Sequence, residues 1–192
     1  PSSGTTTIQR GAALSINTGA VTLNQRIWLW RDDPNYAPHS GPGVFTRSAT
    51  GGRTPYTYRS NNQACARVNS QTGAGSVRGN GSAYITVTDA DGNVLGYTVS
   101  VGGVKYFMDF GGGGGYHESG SQASGRGGRL PSLGELREIY DVYGGGSWRG
   151  QAHQAFWSTD SAGFLARYGK NLYSGGEINA SELGNLLTLV IF

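Results

Sequence analysis

The chain has 192 residues, enough for one large domain or two small ones with an apolar core that needs no cross-links. Its 34 glycines and 11 tyrosines beside only 14% charged residues suit a β-rich, loop-rich extracellular protein and argue against a helical cytosolic enzyme or a disordered tail. The net charge of +3 is spread unevenly, with eight Arg against four Asp in residues 1–103 and seven Lys or Arg against eight Asp or Glu in residues 104–192; the cations are spaced singly, which argues against a nucleic-acid partner.

The Ser, Thr and Gly content of residues 1–11 predicts a linker. Residues 13–17 and 21–30 alternate as strands, with Trp28 and Trp30 on one side. Residues 31–46 hold three prolines, Gly41 and Gly43 and predict a long irregular loop, in which Tyr36 and His39 are candidate contacts if this half meets a ligand. Short strands follow at 55–58 and 64–69, separated by Ser60-Asn61-Asn62. The single cysteine, Cys65, has no internal disulfide partner and reads as a small buried residue. Residues 83–101 read as a hairpin, because 84–88 and 97–101 alternate around Asp89-Ala90-Asp91-Gly92-Asn93, whose Asp-Gly supplies positive φ. Strands at this spacing predict a β-sandwich.

The pattern changes at Gly102-Gly103. A strand is expected at 104–110, then a flexible glycine run at 111–115 with no phosphate-binding fingerprint, then a weak helix at 116–124. Ser132 with Glu135 three residues on forms a capping box, and Leu133, Leu136, Ile139, Tyr140 and Tyr143 make one apolar face, so a helix is predicted over 133–143. Strands are expected at 155–159, 164–172 and 186–192.

No catalytic constellation emerges. His117-Glu118 and His153 lack metal-ligand spacing, and Asp89–Asn93 lacks the downstream Glu of a calcium loop. Glu135, Glu138 and Asp141 are accounted for by capping and solvation, and Ser158 sits in no Gly-x-Ser-x-Gly elbow. The chain is therefore expected to bind rather than catalyse, with no cofactor and no metal. Without an initiator Met, a signal peptide or an apolar run of spanning length, it reads as a mature fragment that does not itself insert in a membrane.

The run Gly51-Gly52-Arg53-Thr54-Pro55-Tyr56-Thr57-Tyr58-Arg59-Ser60-Asn61-Asn62, then Ala66-Arg67-Val68, then Gly81-Ser82-Ala83-Tyr84-Ile85-Thr86-Val87-Thr88-Asp89, resembles the bacterial Ig-like repeats of the intimin and invasin adhesins. Arg129-Leu130-Pro131-Ser132-Leu133-Gly134-Glu135-Leu136, Phe156-Trp157-Ser158-Thr159 and Arg167-Tyr168-Gly169-Lys170-Asn171-Leu172 resemble the C-type-lectin-like tip domain of the same adhesins. The resemblance implies a mainly β protein with a small α+β domain: a linker over 1–11, an Ig-like β-sandwich over 12–103 and a C-type-lectin-like domain over 104–192. It also implies that Trp157 is core. The cysteine pair usual in such tip domains and the Glu-Pro-Asn, Gln-Pro-Asp and Trp-Asn-Asp triplets of calcium-dependent lectins are missing, so calcium-dependent sugar binding is not expected.

These readings converge on an adhesin tip at the bacterial cell surface, anchored in the outer membrane through an upstream region, or secreted, whose partner is a host or target-cell surface protein receptor. A calcium-independent glycan-binding module, a phage tail tip and a secreted toxin stay open beside it. The expected contacts are Ser147, Trp148 and Arg149 in the glycine-flanked loop after the 133–143 helix, with Tyr173 and Glu177 as a second rim.

Overall fold

The computed structural model describes residues 12–33, 38, 40–144 and 155–192. The elements in chain order are β1 (Val21–Leu23), β2 (Ile27–Trp30), β3 (Val44–Thr46), β4 (Thr57–Ser60), β5 (Ala66–Val68), β6 (Ala74–Val77), β7 (Gly81–Thr88), β8 (Val94–Val101), β9 (Val104–Gly114), α1 (Tyr116–Gly125), α2 (Leu133–Tyr143), β10 (Phe156–Gly163), β11 (Ala166–Lys170), β12 (Glu177–Ser181) and β13 (Leu186–Ile191).

Alternation decides the first half. Ala83, Ile85 and Val87 of β7 are buried, and β7 pairs with β8 from Gly81↔Val101 to Thr88↔Val94. The sheet β1-β8-β7-β4 faces the smaller sheet β3-β6-β5 across a core that includes Cys65, Ala66, Val77, Ile85, Tyr97 and Val99. At the hairpin turn the Asp89 carboxylate accepts the backbone N–H groups of Asp91 (3.0 Å) and Asn93 (2.9 Å) and the Asn93 side-chain amide (2.9 Å). The Asn93 amide foremost holds Asp89 below the usual carboxylate range, although burial opposes it.

In the second half α1 and α2 pack on a sheet ordered β12-β11-β10-β13-β9-β2. Leu133, Leu136, Ile139 and Tyr143 put one face of α2 into the core beside Phe107, Phe156, Leu172 and Leu189. The capping box is formed: Ser132 Oγ accepts from the Glu135 N–H at 3.1 Å, and the Glu135 carboxylate accepts from the Ser132 N–H at 2.8 Å. Trp157 is fully buried between α1 and the sheet, its indole N–H donating to Gly114 O at 2.8 Å.

One strand belongs to both cores. β2 lies early in the chain yet pairs in parallel with β9, from Ile27↔Val104 to Trp30↔Phe107. Because side chains alternate across a strand, Ile27 and Leu29 enter the sandwich core while Trp28 and Trp30 enter the core beneath α2. The halves are consequently joined through β2, which follows β1 of the sandwich sheet and pairs with β9 of the second sheet.

Several sequence expectations need correction. Residues 13–17 form no strand, only a Ser15↔Thr50 bridge. The expected strand at 21–30 is two strands in different sheets, parted at Asn24–Arg26. β3 lies inside the region expected to be irregular, and β6 and β12 carried no strand signal. β9 runs on through the glycines to Gly114, because Gly113 and Gly114 pair with Leu187 and Leu186. The expected strand at 164–172 begins at Ala166; Phe164 and Leu165 form the turn before it.

Candidate functional site

At the β10–β11 turn, where a tight hairpin ordinarily takes Asn or Gly, the chain places Phe164 at 94% exposure and Leu165 at 59%. Leu165 has φ +50°, and among the described residues no other non-glycine lies in the left-handed region. The β12–β13 connection adds Leu183, also 94% exposed. The two turns touch, since the Glu182 N–H donates to Leu165 O at 2.9 Å.

Glu182 is buried, and its carboxylate accepts from Arg167 Nε at 2.8 Å and faces His117 Nε2 at 3.2 Å. Its carbonyl accepts the Tyr116 N–H at 2.9 Å, and the Arg167 guanidinium stacks over the Tyr116 ring at 4.6 Å. The apolar tip is thus fastened to the start of α1. β9 runs away from the sandwich toward Gly114, opposite Leu186, so the β12–β13 turn stands at the end of the sheet remote from the first half.

The expected contacts fall elsewhere. Tyr173 is 39% exposed in a turn held by Asn171 Oδ1, which accepts the N–H groups of Tyr173 (2.8 Å) and Ser174 (2.9 Å). Both Glu177 oxygens accept from Arg137 at 2.8 Å, and Lys170 Nζ stands 3.3 Å from Oε1. The Arg137 guanidinium, with Lys170, pulls Glu177 down to about 2. Its charge is spent on an internal network that braces the rim. Tyr173 and Glu177 lie at the opposite end of β11 and β12 from the apolar tip, about 13 Å along the strands.

Ser147, Trp148 and Arg149 lie outside the described residues, as do Tyr36, His39 and His153. Gly144, just before that loop, and Gly175, in the Tyr173 loop, both lie against the Tyr140 ring, where an added Cβ would come within 2.1 Å and 2.7 Å of it. The structure therefore brings the start of one expected loop against the other.

Residues weighed for chemistry have structural roles. Ser158 is buried and donates to Tyr168 O at 2.9 Å, His117 meets Glu182, and burial pushes the Cys65 thiol up. Asp89 is occupied by N–H donors in its turn. Among the described residues no three His, Cys, Asp or Glu side chains converge as metal ligands, and no helix is long and apolar enough to cross a membrane. Sequence reading missed the apolar tip because Phe164 and Leu165 pass for strand residues; the available signals were Gly163 before them and Leu183 between Glu182 and Gly184.

Residues 42–91 match the family described as intimin, immunoglobulin-like domain. Similar solved structures include the C-terminal 282-residue fragment of intimin in complex with the translocated intimin receptor (Tir) intimin-binding domain, at 21% identity and TM-score 0.58 over 78% of this chain. The chain spans 57% of that fragment. An intimin mutant of EHEC O157:H7 is matched over 95% of this chain and 100% of its own, at 17% identity and TM-score 0.57. Intimin-190 from enteropathogenic E. coli is matched over 78% of this chain and 86% of its own, at 20% identity and TM-score 0.51. No curated protein matches by sequence. Residues 42–91 are thus similar to the intimin immunoglobulin-like domain, and the chain has, over both halves, the fold of the intimin C-terminal fragments, a β-sandwich followed by a C-type-lectin-like unit.

Proposed function

We propose that this chain is the receptor-binding end of a bacterial surface adhesin, displayed outward by an upstream region, and that it takes a target-cell surface protein without calcium and without catalysis. The observation that carries the reading is the apolar tip. Phe164, Leu165 and Leu183 are solvent-exposed in two turns that a backbone hydrogen bond joins at one end of the sheet, and exposed apolar patches mark protein interaction sites. Two intimin structures of this fold were solved with Tir, a protein receptor, which supports a protein ligand. Tyr173 and the loop holding Ser147, Trp148 and Arg149 form a proposed second contact, braced by Glu177. The sandwich, sharing β2 with the lectin-like unit, acts as a stiff stalk. Binding of the purified chain to target cells before and after surface proteolysis, with and without chelator, tests the reading: it expects protease-sensitive, chelator-insensitive binding. Binding that survives proteolysis or is lost with chelator overturns it.

A further inference from the structure

The sheet of the second half ends in β12, which among the described residues pairs with β11 alone. Two backbone bonds fix which way its polar groups point. The Glu182 N–H donates to Leu165 O at 2.9 Å and the Asn171 N–H to Gly176 O at 2.8 Å, and both pairs continue the β11–β12 register. Hydrogen-bonded pairs alternate along an antiparallel ladder, so Ile178 and Ala180 direct their backbone groups to β11. Glu177, Asn179 and Ser181 direct theirs outward, and all three residues are exposed. Among the described residues only one of these outward groups is taken, the Ser181 carbonyl, which accepts the Gly184 N–H at 2.7 Å.

No other end strand is as open. β1, β2, β3, β4 and β5 have three or four residues, and the Tyr58 N–H of β4 is closed by Ser70 O at 2.8 Å. β12 has five residues in unbroken register with β11 and carries no Pro, Lys or Arg, so it lacks the usual devices that keep a further strand from adding. Its one charge, Glu177, is held by Arg137 and Lys170. The strand also links the two proposed contacts. Its Ser181 end leads into the turn of Leu183, which touches that of Leu165; its Glu177 end follows the turn of Tyr173; and Ile178 between them is 40% exposed. An extended segment of about five residues laid along this edge reaches both turns.

We infer that the receptor is taken as an added strand: an extended segment of the target protein pairs with β12 through the outward backbone groups of Glu177, Asn179 and Ser181 and sets an apolar side chain beside Ile178. Backbone pairing supplies affinity, and the apolar residues of the two turns select the segment. The strand addition rests on the receptor reading above and goes beyond it by naming the form in which the protein ligand binds.

The test measures binding of the full 192-residue chain to target cells for wild type, Asn179→Pro, Asn179→Ala and the double variant Phe164→Ser with Leu183→Ser. Proline at 179 deletes an outward N–H and no ladder bond, so the melting temperature should change little. Binding by Asn179→Pro should fall about tenfold or more, whereas Asn179→Ala keeps the N–H and should stay within about twofold of wild type. Amide exchange of the wild type on target-cell membranes, read by mass spectrometry, should show new protection at 177–181 and none at β1, and it carries the comparison if the proline variant unfolds. Full binding by Asn179→Pro, or unchanged exchange at 177–181, while the tip variant loses binding, would overturn the strand addition and leave the receptor reading standing. A dimer in sedimentation that Asn179→Pro dissolves would overturn it in favour of a second copy of this chain. Absence of cell binding by the wild type would overturn the receptor reading and the strand addition with it.

Discussion

The indole N–H of Trp28 donates to Glu138 Oε2 at 2.8 Å, tying a strand near the start of the chain to a helix 110 residues later. The same carboxylate takes Arg26 at 3.1 Å, and Tyr143 Oη donates back to Trp28 O at 2.9 Å. Trp28→Ala would remove a 2% exposed ring from the core beneath α2. The expected loss is about 3–5 kcal/mol, and urea unfolding should show both halves melting in one transition, because β2 feeds both cores. Two separated transitions in the wild type would show that β2 does not couple them.

Glu177 supplies the acid dependence. Its folded-state value of about 2 lies below the ordinary 4.5, so its stabilising contribution is present above pH 4.5 and is lost as pH falls toward 2. A third of the side chain faces solvent, and screening holds the contribution to about 1 kcal/mol. Glu177→Gln should flatten stability against pH between 4.5 and 2, measured by denaturant midpoints.

Cys65 is 1% exposed and its thiol is pushed up by burial. A thiol reagent should therefore label it only as fast as the sandwich opens. Labelling at the rate of a free thiol in native buffer would place Cys65 outside the core.

Leu165 sits at φ +50°, a conformation that costs an L-residue about 1–2 kcal/mol. Leu165→Gly is expected to stabilise the fold by about 1 kcal/mol while weakening cell binding. Thermal melts and binding measured on the same samples should move in opposite directions.

Local signals made some elements legible and long-range pairing hid others. The capping box and apolar face of α2 placed that helix at Leu133–Tyr143, and the alternation around Asp89–Asn93 placed the β7–β8 hairpin, since both depend on neighbours in sequence. β12 has three exposed residues at its start and so shows no buried alternation. The glycines of β9 have no strand preference of their own and are extended by Leu186 and Leu187 across the sheet. The apolar tip was hidden for a related reason: two large apolar residues in a turn contradict local turn chemistry. Such conflicts are expected where a surface is shaped by what it touches.

The most direct test replaces the tip. Phe164→Ser with Leu183→Ser changes two side chains that are each 94% exposed, so the melting temperature should stay within a degree or so of wild type. If the tip docks in a protein receptor, binding to target cells should fall about tenfold or more. Unchanged binding by the folded double variant would contradict the central claim.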